Sequence, residues 1–238
     1  MVFAFHEGQD RRDAMNNELK IYDKLLQFTL FQGMSHADLM EVVTHTKIGF
    51  HKYPKGKCLA RAGDTCDRLT FLINGSMQAE HVADNHAYRV IERLSAPYLI
   101  EPERLFGIHQ QYAYTYTTLT DVNLITIDKQ EIMLLLETQL VFRLNMLNLM
   151  ATDTQRLLHY PWRTCPKNLR ERIILFFFTH CQYPAGSKTF YILMQQLAAL
   201  LNDSRLDISI TLNQMQTDGL LTLHRGRIEI PMLERLLM

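Results

Sequence analysis

Long apolar runs are missing from this chain of 238 residues. No window of about 18 uninterrupted apolar residues occurs, which is the least a membrane-crossing helix needs. The stretch from Met1 to Asn17 mixes acids with bases where a secretory leader would carry an apolar core, so a soluble, cytoplasmic chain without membrane contact is expected. Cysteine is scarce. Cys58, Cys66, Cys165 and Cys181 lack the two-residue spacing of zinc and iron–sulfur sites, which predicts reduced structural thiols and no metal or other cofactor. The sequence holds no P-loop, no Ser-His-Asp ordering and no paired acids in a glycine-defined turn, so catalysis is not expected. The one tryptophan, Trp162 beside Pro161, reads as a hinge-packing residue.

Excess charge of either sign is missing as well: 25 basic residues face 25 acidic ones. The balance is uneven along the chain. Basic residues are outnumbered 15 to 19 over residues 1–154 and lead 10 to 6 over 155–238, which confines a positive field to the carboxy-terminal part. A modest local excess of this kind suits a nucleic-acid reader that pools two copies and weakens with salt, and equally a chance clustering of surface charges.

What is present in that basic part is a helix, a polar turn, a second helix and a hairpin. Leu197, Leu200 and Leu201 share one helical face, Asn202-Asp203-Ser204 breaks the periodicity with turn and cap formers, and a second helix is predicted from about Ser204 to Thr217. Ile208, Leu212 and Met215 would pack it inward, leaving Arg205, Asp207, Ser209 and Asn213 outward. Leu220–Leu223 and Ile228–Ile230 then read as strands about the basic turn His224-Arg225-Gly226-Arg227. The pattern is that of a winged helix-turn-helix.

Upstream, short apolar runs alternate with turn signals from about Ile21 to Ile127. Pro54-Lys55-Gly56, Ala62-Gly63-Asp64, Asn74-Gly75-Ser76 and Asp84-Asn85-His86 space a compact antiparallel β unit, with Phe71–Ile73 and Leu124–Ile127 as buried strands. Asp128 and Glu131 form a capping-box-like start, and no Gly or Pro interrupts Lys129 to Tyr160, predicting one helix of roughly 45 Å. Met133, Leu140, Leu144, Leu147, Ala151 and Leu158 approximate a heptad seam, while Leu135, Phe142, Met146 and Leu149 make a second stripe. Two apolar faces need two partners, naturally the chain's own β unit and the same helix of a second copy, with a purely intramolecular core helix as the alternative. The expected fold is therefore α+β: an amino-terminal antiparallel β roll over residues 1–128, a dimerisation helix over 129–160, and a winged helix-turn-helix over 161–238, entered through a hinge at Pro161 and Pro166.

These units, in this order, resemble the Crp/Fnr family of bacterial transcription regulators over nearly the whole chain. The likeness is carried by Phe31-Gln32-Gly33-Met34-Ser35 with Ala37-Asp38-Leu39, by Tyr53–Gly56 and Ala62–Asp64, and by Phe71–Ser76. Leu169-Arg170-Glu171-Arg172-Ile173 and Leu201-Asn202-Asp203-Ser204-Arg205 carry it in the carboxy-terminal part. The resemblance implies a cyclic-nucleotide-binding-type roll, a homodimer, double-stranded DNA as ligand, RNA polymerase as partner and a small-molecule effector of unknown identity.

In nucleotide-binding members a G-E-L stretch and a later R-S-A stretch hold the cyclic phosphate with amides and an arginine, and the ribose with a carboxylate. Here the first reads Glu101-Pro102-Glu103-Arg104-Leu105-Phe106, in which proline removes an amide and Glu101 replaces the permissive glycine. Tyr112, in Tyr112-Ala113-Tyr114, stands where the arginine would. Glu101 and Glu103 would repel a phosphate, with Arg104 as a compensating charge, so cyclic AMP is not expected to be the effector. Glu101, Glu103, Arg104, Tyr112 and Tyr114 are the candidate effector residues. Phe106 and Tyr112, Tyr114 and Tyr116, with Thr115, Thr117 and Thr118, suit either an aromatic pocket or plain strand packing. His45, His51, His81, His86 and His109 share no helical spacing, so haem ligation and ordinary hydrogen-bonded roles stay open, and with them the alternative of a small-molecule or haem-sensing scaffold with a vestigial head. The family's oxygen sensors cluster cysteines before this chain's first, Cys58, which argues against an iron–sulfur sensor.

For the head, the resemblance assigns Arg205 to a bidentate contact with guanine. Ser204 caps the helix and touches phosphate, while Asp207, Ser209 and Asn213 either read bases or solvate the face. Arg225 and Arg227 in the wing, with Lys188 and Gln195, are expected on the DNA backbone. Leu206 and Ile210 stand where the family places polar contacts, so its operator does not carry over.

Overall fold

The computed structural model describes residues 22–159 and 165–237; Pro161, Trp162 and the amino-terminal stretch lie outside the described residues. The fold is α+β, with eight antiparallel strands forming a jelly-roll-like unit and helices following it. After helix α1 (His36–His45) come β1 (Ile48–Tyr53), β2 (Cys58–Ala60), β3 (Arg68–Asn74), β4 (Ser76–Val82), β5 (Arg89–Ser95), β6 (Tyr98–Ile100), β7 (Thr115–Thr118) and β8 (Val122–Asp128). One sheet runs β1-β8-β3-β6, and β5-β4-β7-β2 belong to the other. Each turn signal falls between two strands. Gly75, at φ +90°, is required because a Cβ there would run into the Asp121 carbonyl and Val122.

The near-continuous apolar reading of β3 and β8 follows from burial on both faces. Leu72, Val122 and Leu124 point into the roll with Met77, Ala79, Leu94 and Tyr116. Leu69, Phe71, Ile125 and Ile127 point outward onto Phe28, Phe31, Leu39 and the following helices.

Those helices are α2 (Lys129–Thr138) and α3 (Leu140–His159), bent by 113°. The single rod expected over 129–160 is thus corrected to two pieces, the longer about 30 Å at 1.5 Å per residue. Gln139 makes the break: its backbone is extended (φ −107°, ψ 98°) and its buried side chain donates to Glu41 at 3.2 Å. The bend lets Ile132 and Leu135 of α2 and Phe142 and Met146 of α3 reach one core from two directions. Asn145 pins α3 by donating to the carbonyls of Leu30 and Gln32. The capping box is also absent, since Asp128 occupies the cap position without a side-chain bond and Glu131 accepts from the Lys47 amide instead. No single helix among the described residues is long and apolar enough to cross a membrane.

The carboxy-terminal part comprises α4 (Leu169–Thr179), β9 (Lys188–Tyr191), α5 (Met194–Leu201), α6 (Arg205–Thr217), β10 (Thr222–His224) and β11 (Arg227–Ile230). Its core gathers Phe177, Phe190, Leu197, Ile208, Leu212, Met215 and Ile228. Leu200, expected inward, is exposed, because α5 buries Leu197 and Ala198 instead. β9 pairs with β5, so the order β10-β11-β9-β5-β4-β7-β2 makes one seven-stranded sheet, and Val90 of β5 belongs to the carboxy-terminal core.

Candidate nucleic-acid interface and effector cassette

Helix α6 is set by its first turn. The Ser204 hydroxyl accepts from the Asp207 amide at 3.0 Å and donates to the Asp207 carboxylate at 2.7 Å, which satisfies an otherwise orphaned amide. Asn202, in the left-handed region at φ 50°, turns the chain out of α5. Arg172 braces this corner, donating to the Leu201 carbonyl at 3.0 Å and pairing with Asp203, while Arg170 ties Asp218 at 2.6 Å. Ile208, Leu212 and Met215 are fully buried, so the opposite side of α6 is outward by geometry.

Arg205, Leu206, Asp207, Ile210 and Asn213 are exposed there and Ser209 half-buried, with Gln195 exposed on α5 and Arg225 at the hairpin tip. Their freedom differs. Among the described residues Arg205 and Arg225 make no ion pair, whereas Arg227 lies 3.2 Å from Glu229 and the Asp207 carboxylate is committed to the cap. Asn213 donates to the Ser209 carbonyl at 2.7 Å, leaving its own carbonyl oxygen available. Lys188 is a correction. It is fully buried and donates to Glu92 at 2.7 Å, because β9 alternates Lys188 and Phe190 inward, and it cannot reach a phosphate from there.

The apolar face of α3 divides as the two stripes did. Phe142 and Met146 are buried and Leu149 packs against the same core, whereas Leu140, Leu144, Leu147, Ala151 and Leu158 are exposed. Met133, on α2 beyond the bend, does not continue that seam.

The cassette is built differently from its sequence expectation. Glu101, following β6, is fully buried in the left-handed region (φ 33°), ahead of a single 3-10 turn over Pro102–Arg104. Its carboxylate accepts from the Ala113 amide at 2.7 Å, the Tyr114 amide at 3.1 Å and the Tyr116 hydroxyl at 2.9 Å, with Arg104 Nε at 3.6 Å. Burial pushes the Glu101 carboxyl above its ordinary range, against the pull of these donors. Two amides and a hydroxyl converging on one point are an anion seat, and here the anion is the chain's own. Tyr114 packs at a tilt against His81 with ring centroids 5.0 Å apart, Tyr112 is buried in the roll interior, and Glu103 is exposed, so the five candidate residues do not converge on one empty space. A cavity of about 280 Å³ in the roll takes only Tyr112 of the five, beside His51, Tyr53, Arg68, Thr70 and Thr126. His51 and His81 are held by Thr126 and the Ala113 carbonyl, and the described residues assemble no group of three metal-ligating side chains.

Sequence reasoning missed the buried polar set beside this seat. Tyr116, donating to Glu101, lies 3.4 Å from the Gln182 side chain; the Gln182 and Tyr183 amides donate to Glu92 at 2.6 and 3.1 Å, and Lys188 completes that carboxylate. The signal was available in period two: Val90, Glu92 and Leu94 share a face, so Glu92 had to be buried and therefore partnered.

Comparison with known families matches residues 50–139 to the cyclic nucleotide-binding domain. The sensor domain of the transcriptional regulator DNR from Pseudomonas aeruginosa is similar in fold, with a TM-score of 0.51 at 17% identity over 64% of this chain and 98% of that one. The catabolite activator protein of Thermus thermophilus aligns at 19% identity and a TM-score of 0.49, covering 88% of this chain and 96% of that one. No curated protein matches the sequence. Residues 50–139 thus match a domain of the cyclic nucleotide-binding type within an α+β fold, and the sensor domain of one transcriptional regulator is similar to it in fold.

Proposed function

We propose that this chain is a sequence-specific DNA-binding transcription regulator of the Crp/Fnr kind, bacterial and cytoplasmic, acting as a homodimer and not controlled by cyclic AMP. The observation that carries the reading is α6: a capped helix whose outward side opens with an unpaired Arg205 and continues through Ser209 and Asn213, flanked by Arg225 on the hairpin. Such a helix enters a major groove with its amino-terminal residues on base edges, while the wing tracks the backbone. In this reading Arg205 takes guanine, Ser204 approaches phosphate, Asn213 and Ser209 read adjacent bases, and Arg225, Arg227 and Gln195 fix register. Asp207 acts through the cap.

The exposed stripe of Leu140, Leu144, Leu147, Ala151 and Leu158 supports a second copy as partner, since its companion stripe is already buried on the chain's own core. Pairing there brings two heads to half-sites one helical turn apart. Residues 1–128, 129–160 and 161–238 are then sensor-type, dimerisation and DNA-reading units, and RNA polymerase is the expected downstream partner. The cassette is degenerate in a physical sense: Glu101 takes the amides a cyclic phosphate would need, and its charge repels one. Genome-wide footprinting of bound DNA tests the whole. A recovered palindrome with half-sites about 10–11 base pairs apart is expected, and a protein that retards no duplex at low salt refutes it.

A further inference from the structure

β5 is the strand on which two structural units meet. On one side it pairs with β4 inside the roll; on the other, Arg89, Val90, Ile91 and Glu92 pair directly with Tyr191, Phe190, Thr189 and Lys188 of β9. Without β9, β5 would be an exposed edge, and native sheets do not leave long apolar edges uncovered. Side chains reinforce the pairing. Arg89 lies over the Tyr191 ring at 4.1 Å, Tyr88 packs edge-on against Phe176 at 5.6 Å, and Val90 enters the core around Phe190.

At its inner end the seam becomes polar. Glu92 and Lys188 face each other with no solvent exposure, and Glu92 also accepts the Gln182 and Tyr183 amides. Parting this seam exposes a carboxylate, an ammonium and two amides that water satisfies at once, unlike the groups of an apolar core. Charged halves that hydrate readily once apart suit a contact that opens, and their one-to-one register permits reclosure only in the correct alignment. Gln182 further connects the seam to the Glu101 seat through Tyr116, so the state of the seat and the state of the seam share one set of hydrogen bonds.

We propose that the β5 edge is a docking site whose occupant is this chain's own Gln182–Tyr191 segment, held by Glu92 as a releasable latch between roll and carboxy-terminal unit. The docking does not depend on the DNA-binding reading, which could fail while the latch stands.

Hydrogen exchange on the full chain tests it. In Glu92→Gln and Lys188→Met, peptides covering Arg89–Glu92 and Lys188–Tyr191 should exchange at least about tenfold faster than in the wild type, while β7 and the α5–α6 core keep their protection. The double variant Glu92→Gln with Lys188→Met removes both charges, keeps an acceptor for the Gln182 and Tyr183 amides, and should protect both peptides better than either single variant. Unchanged protection in both single variants overturns the latch. So does exchange that spreads equally through roll and head, which would make the seam part of one cooperative core. A double variant no better protected than the single ones also overturns it. Protection of these peptides that falls on dilution would assign the occupant to a second copy and overturn the assignment to the chain's own segment.

Discussion

Replacing Glu101 by alanine removes one acceptor and strands three donors: the amides of Ala113 and Tyr114 and the hydroxyl of Tyr116, at 2.7, 3.1 and 2.9 Å from the carboxylate. A buried donor left without a partner costs about 1–3 kcal/mol. Water entering the vacated space satisfies part of that, and relief of the carboxylate's own burial offsets more, so the net loss should be about 2–4 kcal/mol. The backbone adds a second, separable quantity. Glu101 sits at φ 33°, where a β-carbon is disfavoured, so Glu101→Gly loses the same hydrogen bonds yet should be about 1 kcal/mol less destabilised than Glu101→Ala. Urea denaturation of the three proteins measures both differences. Inorganic phosphate supplies the decisive arm: with the tethered carboxylate gone, the open amides of the glycine variant should bind the anion, raising its midpoint while leaving the wild type unmoved. If phosphate shifts both proteins equally, or if the alanine variant is as stable as the wild type, the carboxylate is not the occupant of an anion seat.

The same residue sets a pH dependence. Burial raises the Glu101 carboxyl above its unfolded value, so its contribution to stability is full below the ordinary carboxylate range and is lost as pH rises through the raised value; Glu101→Gln should flatten that part of a melting-temperature profile, and an unchanged profile contradicts the assignment. On α3, Leu144→Glu with Leu147→Glu should separate the proposed dimer in sedimentation with little change in protomer stability, whereas Phe142→Ala, emptying a fully buried site, should cost about 3–5 kcal/mol in denaturation. For DNA, Arg205→Ala should lose about 1–3 kcal/mol of binding with relaxed preference at one operator position. Arg225→Ala should weaken all duplexes alike and lower the salt slope by about one per protomer, and a loss confined to one base pair would contradict its backbone role.

The two buried carboxylates share a logic. Glu101 and Glu92 each collect two backbone amides and one side-chain donor, which is how a buried anion is held without bulk water. Their donors come from segments distant in sequence, so each carboxylate fixes a loop that hydrophobic packing alone would leave free to slide. The resident carboxylate of Glu101 leaves the Ala113 and Tyr114 amides closed to a diffusible anion.

Local chemistry determined much of this protein from sequence. Turn residues at 54–56, 62–64, 74–76 and 84–86 separate strands because they impose backbone geometry wherever they stand, and Ser204 caps α6 because its hydroxyl reaches an amide three residues on. Inward positions at Ile208, Leu212 and Met215 followed from helical period alone. Only the tertiary structure decided the rest, since the deciding partners lie far along the chain. Gln139 breaks a helix that holds no Gly or Pro because its side chain bonds Glu41 and two helical segments must reach one core from different directions. Lys188, an apparent phosphate contact in a basic region, is withdrawn from solvent by a carboxylate almost a hundred residues earlier, and Glu101 becomes the anion of its own cassette. Periodicity reports which face a residue takes; the identity of what waits on that face is written only when distant strands come together.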